Sequence, residues 1–60
     1  MIDLNSTSVR WTITLNRPDK ANAINMEMLI RLNEILDEAK QQLKLRSLII
    51  TGNGPVFSAG

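Results

Sequence analysis

The sequence predicts a small α/β unit in which two strands precede one helix and a third strand follows it. Three patterns carry this prediction: alternating apolar and polar residues at 9–15, apolar residues recurring every three or four positions after Asn25, and a short β-branched run at 47–51. A chain of 60 residues holds at most one small domain. The order of elements is therefore β-β-α-β within a single domain.

The first two strands are predicted to form an antiparallel hairpin. Ile2 and Leu4 indicate a short first strand, and the polar residues 5–8 indicate a tight connection to the second. A strand that alternates with period two has one buried face. In the second strand, that face consists of Val9, Trp11, Ile13 and Leu15.

The helix is predicted to begin after Asn25, a residue type that favours the N-cap position. Glu27 lies in the first turn, where a carboxylate suits the helix dipole, and it is spaced to pair with Arg31. Apolar residues at spacings of three and four predict a buried stripe along about four to five turns. The stripe comprises Leu29, Leu32, Leu36, Ala39 and Leu43, and Ile35 widens it.

The third strand, residues 47–51, is apolar without alternation, which is typical of a parallel strand covered on both faces. Strand, helix and strand would then form a right-handed βαβ unit. Gly52, Gly54 and Pro55 mark a loop after this strand. Val56 and Phe57 are expected to start another packed segment.

Composition excludes several classes of function. The net charge is +1 and the only aromatic residues are Trp11 and Phe57, so no nucleic-acid partner is expected. The chain has no histidine and no cysteine, which removes the usual general base, thiol nucleophiles and most transition-metal sites, and no metal site is expected. No secretory signal or apolar span is visible, so we expect no membrane partner and a location in the cytoplasm or an organelle matrix.

Few residues are candidates for a binding role. The glycines of the loop after the third strand do not match a phosphate-binding motif, because neither Gly-Lys-Ser nor Gly-Lys-Thr occurs. Arg17 and Lys20 are two cations on one loop: they are either ordinary exposed charges or contacts for phosphate groups. Trp11, Met26 and Met28 are interpreted as core or interface residues.

Three segments, taken together, resemble the crotonase superfamily of enoyl-CoA hydratases and isomerases. Residues 16–23 read NRPDKANA, which is similar to the family pattern N-R-P-x-x-x-N-A before a helix. Residues 48–52, LIITG, resemble the family's apolar strand ending in glycine, and residues 57–60, FSAG, resemble its F-S/A-A-G. These segments occur in the same order and at the same separations as in the family, so the resemblance extends over nearly the whole chain.

The resemblance implies that residues 1–60 form the N-terminal segment of a single, incomplete crotonase-like domain, the opening of a spiral of ββα turns. It implies an acyl-CoA thioester as ligand, with coenzyme A as part of the substrate and no separate cofactor. The full-length family assembles into trimers or hexamers, so a homo-oligomer is expected. The residues implied to line the CoA path are Lys20, Ala21, Ala23, Ser58, Ala59 and Gly60.

The family's shared chemistry is stabilisation of a thioester enolate by two backbone N–H groups. The first donor follows the Gly of A-G-x-D, a position immediately after Gly60. The resemblance therefore implies no catalytic residue within residues 1–60, and we expect the 60-residue chain alone to be inactive. The alternative is a non-catalytic α/β module that associates with itself through the helix stripe and an open sheet edge.

Overall fold

The computed structural model describes all 60 residues and confirms the predicted β-β-α-β order. A single three-stranded sheet has the order β1-β2-β3, with β1 antiparallel and β3 parallel to β2. One turn of 3₁₀ helix and one α-helix connect β2 to β3. The bounds are β1 Ile2–Ser6, β2 Arg10–Leu15, the 3₁₀ turn Pro18–Lys20, α1 Met26–Lys40 and β3 Ser47–Gly52.

The predicted hairpin is formed by β1 and β2, with a register running from Ile2 opposite Leu15 to Ser6 opposite Trp11. Its connection is closed by Thr7, whose Oγ1 accepts from the backbone N–H of Arg10 at 3.0 Å and donates to the carbonyl of Arg10 at 3.1 Å. The prediction that Val9 belongs to the buried face was wrong, because it lies in this connection and is 45% exposed.

The core lies between β2 and one face of α1. Trp11, Ile13 and Ile35 form a buried cluster, and Leu32 and Leu36 pack against it. Leu15 and Met28 are also buried. The inner face of β2 therefore carries the core, as the alternation at Trp11, Ile13 and Leu15 predicts.

The buried side of α1 differs from the predicted stripe. Only Met28 and Ile35, two turns apart, are fully buried, whereas Leu29 is 45% exposed. Leu43 is 99% exposed because the helix ends at Lys40, so this leucine lies beyond it. The helix is thus rotated toward Met28 and Ile35, and the prediction for Leu29 and Leu43 was wrong.

The N-cap and the ion pairs of α1 join residues that are close together in the sequence. The Asn25 Oδ1 accepts from the backbone N–H of Met28 at 2.8 Å, which confirms the predicted N-cap. Arg31 pairs with Glu34 at 3.5 Å rather than with Glu27 as predicted. Both side chains of that pair are about half exposed, so the pair contributes little to stability.

β3 lies at one edge of the sheet and is less covered than its composition predicts. Leu48, Ile49 and Ile50 are between 38% and 43% exposed, because α1 is the only helix available to cover the sheet within these residues. Val56 and Phe57 are exposed as well, so the expected packed segment after the loop is absent. No helix of the structure is both long enough and apolar enough to cross a bilayer.

Candidate functional site

Two stretches of chain meet at the carboxyl ends of β2 and β3. We call residues 17–23 the Lys20 loop and residues 53–60 the C-terminal segment. The backbone N–H of Ala59 donates to the carbonyl of Ala21 at 2.9 Å, and the N–H of Ile24 donates to the carbonyl of Gly60 at 3.0 Å. The two groups of predicted site residues are therefore side by side.

The Lys20 loop holds its shape through its own backbone. Its turn is completed by Ala21 and Asn22, whose φ angles of 51° and 55° lie in the left-handed region. The amides of residues 20–24 all donate to chain carbonyls, with Asn22 N–H reaching the carbonyl of Arg17 at 2.9 Å. The amides of residues 20–24 are therefore committed within the chain, and a phosphate beside them would depend on side-chain charge.

Asn22 is the one buried polar residue of the chain, and its side chain has no exposed surface. Its Oδ1 accepts from the backbone N–H of Arg17 at 2.8 Å. Its Nδ2 donates to the carbonyls of Asn53 and Val56, both at 2.8 Å. The side chain thus joins the Lys20 loop to the C-terminal segment, and its hydrogen-bonding groups are satisfied as burial requires.

Ser58 adds a second link between the same stretches. Its Oγ donates to the carbonyl of Asn22 at 2.8 Å and accepts from the backbone N–H of Gly60 at 3.1 Å. Gly60 has a φ of 99°, a conformation that suits glycine, and no atom lies within 4 Å of the position a Cβ would take. The small residues at 58–60 therefore follow the loop closely.

Gly52 permits the close approach of the C-terminal segment to the end of β3. A Cβ at this position would contact the carbonyl oxygen of Phe57, would lie 2.8 Å from the Phe57 Cα and would lie 2.9 Å from the Asn22 Nδ2. Only a residue without a side chain fits there. The glycine of the LIITG stretch is thus required by packing against the site.

The two cations of the loop have different roles. The Nη1 of Arg17 donates to the carbonyl of Ala23 at 3.0 Å, so this guanidinium braces the loop from within. Lys20 is exposed and forms neither an ion pair nor a side-chain hydrogen bond. Of the two residues, Lys20 is the one whose charge is free to meet a ligand.

A polar chain across the sheet end was not anticipated from the sequence. The Nδ2 of Asn16 donates to Asp3 Oδ2 and its Oδ1 accepts from Asn53 Nδ2, both at 2.8 Å. Asn53 therefore contacts both Asn16 and Asn22. The signal in the sequence was an asparagine at the end of each of two neighbouring strands, a residue type suited to loop hydrogen bonding.

The surface hollows of the chain lie away from this site. One, of about 470 Å³, lies between Met1 and the first turns of α1; the other, of about 500 Å³, lies beside Val9 and residues 43–46. No group of three or more potential metal-ligating side chains occurs. Neither hollow is lined by the Lys20 loop or by residues 58–60.

Known proteins match both the sequence and this arrangement. Residues 6–60 match the model of the enoyl-CoA hydratase/isomerase family. The 1,2-epoxyphenylacetyl-CoA isomerase of Escherichia coli is 43% identical over 49 residues, covering 82% of this chain and 19% of that protein. The trans-2-decenoyl-[acyl-carrier-protein] isomerase of Streptococcus mutans is 39% identical over 49 residues, with the same shares covered.

A solved structure agrees. The protein named "probable enoyl-CoA hydratase" from Mycobacterium thermoresistibile is 39% identical with a TM-score of 0.88, over 98% of this chain and 25% of that one. The chain thus spans about a fifth of the length of the curated relatives and a quarter of the solved structure. With the family model matching residues 6–60 and the fold reproduced, this chain belongs to the enoyl-CoA hydratase/isomerase family of the crotonase superfamily.

Proposed function

We propose that residues 1–60 supply part of the CoA-binding surface of an acyl-CoA enzyme of the hydratase/isomerase type. The observation that carries this proposal is the backbone pairing of Ala59 and Gly60 with Ala21 and Ile24. This pairing brings the small residues Ala59 and Gly60 beside Ala21, so a narrow, extended ligand would meet little side-chain obstruction there.

The proposed ligand class is a thioester carried on phosphopantetheine. One relative is named for a CoA ester and another for an acyl-carrier-protein substrate, and both carriers present that group. We propose CoA for this chain because Lys20 offers an unpaired charge beside Ala21 and Ala23. An ammonium on a flexible stem suits the phosphates at the nucleotide end of CoA.

The proposed reaction passes through a thioester enolate, with backbone N–H donors aimed at the oxyanion. No residue within 1–60 is assigned a catalytic role, and coenzyme A enters as part of the substrate rather than as a separate cofactor. Ala59 and Gly60 shape the turn leading to the expected first donor. We propose that the 60-residue chain alone does not hydrate a short enoyl-CoA, a claim refuted by turnover of that substrate by the purified chain.

The binding proposal is tested by titrating CoA into the chain and into Lys20→Ala. An exposed ion pair contributes up to about 1 kcal/mol, so the variant should bind up to about fivefold more weakly, and added salt should reduce the difference. Lys44→Ala is the matched control, because Lys44 is also exposed but lies beyond α1, beside the distant hollow. Equal weakening by both variants, or unchanged binding to Lys20→Ala, would refute the role of Lys20.

A second candidate is a non-catalytic module that associates with itself. The observation that favours it is the edge strand β3, where Leu48, Ile49 and Ile50 are each roughly two-fifths exposed. Unpaired edge strands are templates for pairing with another chain. Light scattering combined with CoA titration separates the candidates: an oligomer that does not bind CoA favours the module. Assembly of the complete enzyme into a trimer or hexamer belongs to the first proposal and is tested by its mass in solution.

A further inference from the structure

We propose that Asn22 is a positioning residue that couples the Lys20 loop to the C-terminal segment, so that both halves of the proposed thioester path form and are lost together. The effect on ligand binding rests on the function proposed above. The coupling between the two stretches does not, because it follows from contacts within the chain.

The side-chain amide of Asn22 is fully used. An asparagine amide offers two N–H donors and one carbonyl acceptor. Here the donors reach the carbonyls of Asn53 and Val56, and the acceptor receives the N–H of Arg17, all at 2.8 Å. Because the residue has no exposed surface, water does not replace a partner that is lost. Release of the C-terminal segment would therefore break both donor hydrogen bonds of the amide at once.

The backbone of Asn22 ties the same two stretches. Its carbonyl accepts from Ser58 Oγ at 2.8 Å, and its φ of 55° is a conformation open to glycine, asparagine and aspartate but costly for most residues. The side chain can therefore reach both stretches only while the loop keeps this turn. The loop conformation and the contacts to the C-terminal segment therefore depend on each other.

The remaining links between the stretches are backbone pairings at Ala59 and Gly60. These pairings lie at the far end of the C-terminal segment, whereas Asn22 binds its beginning at Asn53 and its middle at Val56. Without the Asn22 side chain, the segment between β3 and Ser58 has no side-chain hydrogen bond to the loop. Coupling between two sites is reciprocal, so a ligand that orders the loop also orders residues 58–60.

The decisive variant is Asn22→Asp. It keeps the shape, the left-handed turn and the acceptor for Arg17, but its ionised carboxylate faces the carbonyl oxygens of Asn53 and Val56 in place of a donor. We expect amide hydrogen exchange, measured by NMR against wild type at each pH, to accelerate together at residues 20–24 and 59–60 by about tenfold or more. The amides that pair β1 with β2 should keep wild-type exchange.

Protonation of the carboxyl introduced at position 22 changes the amide exchange rates in a way that loss of packing alone does not. As pH falls, the new carboxyl at position 22 becomes protonated and donates one O–H to a facing carbonyl. The exchange rates of both stretches should then move back together toward wild type. Acceleration confined to the Lys20 loop, with Ala59 and Gly60 unchanged, would overturn the coupling, as would rates in the two stretches that respond to pH independently.

If Asn22→Asp does not fold, a milder variant tests the coupling between the Lys20 loop and the C-terminal segment. Ser58→Ala removes the hydrogen bond to the Asn22 carbonyl and the acceptor of the Gly60 N–H, and it leaves the Asn22 side-chain amide intact. We expect amide shifts at Asn22 and Ala23, remote in sequence, with none in Ser8→Ala, a serine-to-alanine control in the exposed hairpin connection. Amide shifts confined to the neighbours of Ser58 would overturn the proposal.

CoA itself is the probe for the ligand effect. Asn22→Gly tolerates the left-handed turn and adds no charge near the phosphates, so it isolates loss of the amide. Binding of CoA about tenfold weaker than wild type supports the proposal, and equal binding overturns its ligand part. If wild type itself fails to bind CoA, the proposed function fails, while the exchange pattern in Asn22→Asp still decides the coupling.

Discussion

Replacing Gly52 with alanine tests how closely the C-terminal segment must approach the sheet. The φ of Gly52 lies outside the left-handed region, so alanine fits the backbone conformation and the effect comes from the added methyl alone. That methyl would lie 2.8 Å from the Phe57 Cα, about 0.7 Å short of the spacing at which carbon atoms pack. It would also press on the Asn22 Nδ2.

The C-terminal segment is the side that moves. Gly52 belongs to β3, which is paired along its length with β2, whereas Phe57 lies in irregular chain held by a few hydrogen bonds. Overpacking of this kind costs about 1–3 kcal/mol. If the chain keeps the segment docked, the free energy of unfolding falls by that amount. If it releases the segment, the population with residues 57–60 docked falls by roughly 5- to 150-fold.

Two measurements on Gly52→Ala distinguish these outcomes. Urea denaturation reports the midpoint, and NMR reports the amide shifts of residues 57–60 and of Asn22. Thr51→Ala is the control, since it places alanine at the neighbouring, exposed position of the same strand. A Gly52→Ala chain with an unchanged midpoint and wild-type shifts at residues 57–60 would refute the reasoning.

Three further substitutions probe the core, the helix cap and the loop. Ile35→Ala, at a position with no exposed surface, should lower the free energy of unfolding by about 2–5 kcal/mol in a urea titration. Asn25→Ala removes the acceptor of the first helical turn and should cost about 0.5–2 kcal/mol, seen as a lower melting temperature by circular dichroism. Arg17→Ala leaves the Ala23 carbonyl without its charged donor and should cost about 1.5–3 kcal/mol, with amide shifts centred on the Lys20 loop.

Each of these substitutions has an informative comparison. Ile30→Ala removes the same side chain from the same helix at a position 55% exposed, so a loss equal to that of Ile35→Ala would contradict the assigned core. Asn33→Ala places alanine within α1 at an exposed position away from the cap, and it should leave the melting temperature nearly unchanged. Arg10→Ala removes an exposed arginine outside the loop, and an effect as large as that of Arg17→Ala would show that no specific contact is involved.

The elements were predictable where local pattern decides them. The alternation in β2 and the N-cap at Asn25 depend on neighbouring residues, and both are found as predicted. The buried face of α1 depends on how the helix is rotated against Trp11 and Ile13. Met28 and Leu29 point about 100° apart around the helix axis, and packing against the sheet buries Met28. The positions of the leucines alone do not specify this rotation of the helix.

For the candidate site, the sequence indicated the two segments but not the hydrogen bonds that join them. The sequence supplied Lys20 and Ser58, and the structure brings their stretches together. The role of Asn22 depends on partners 31 and 34 positions further along the chain, which no local pattern specifies. From the sequence, Arg17 and Lys20 could not be distinguished as possible ligand contacts. The hydrogen bond of Arg17 to the carbonyl of Ala23 is what distinguishes their roles.

The Asn22 side chain contacts residues far along the sequence, and this separation has a consequence for the order in which parts of the chain fold. The β1–β2 hairpin closes over a few residues, and we expect it to form before β3 pairs with β2, because loop-closure entropy delays contacts between residues far apart in the sequence. The Asn22 side chain finds Asn53 and Val56 only once β3 is in place. We therefore expect the proposed binding surface to form after the sheet and to open by partial unfolding, and a ligand that binds only the docked form would stabilise it.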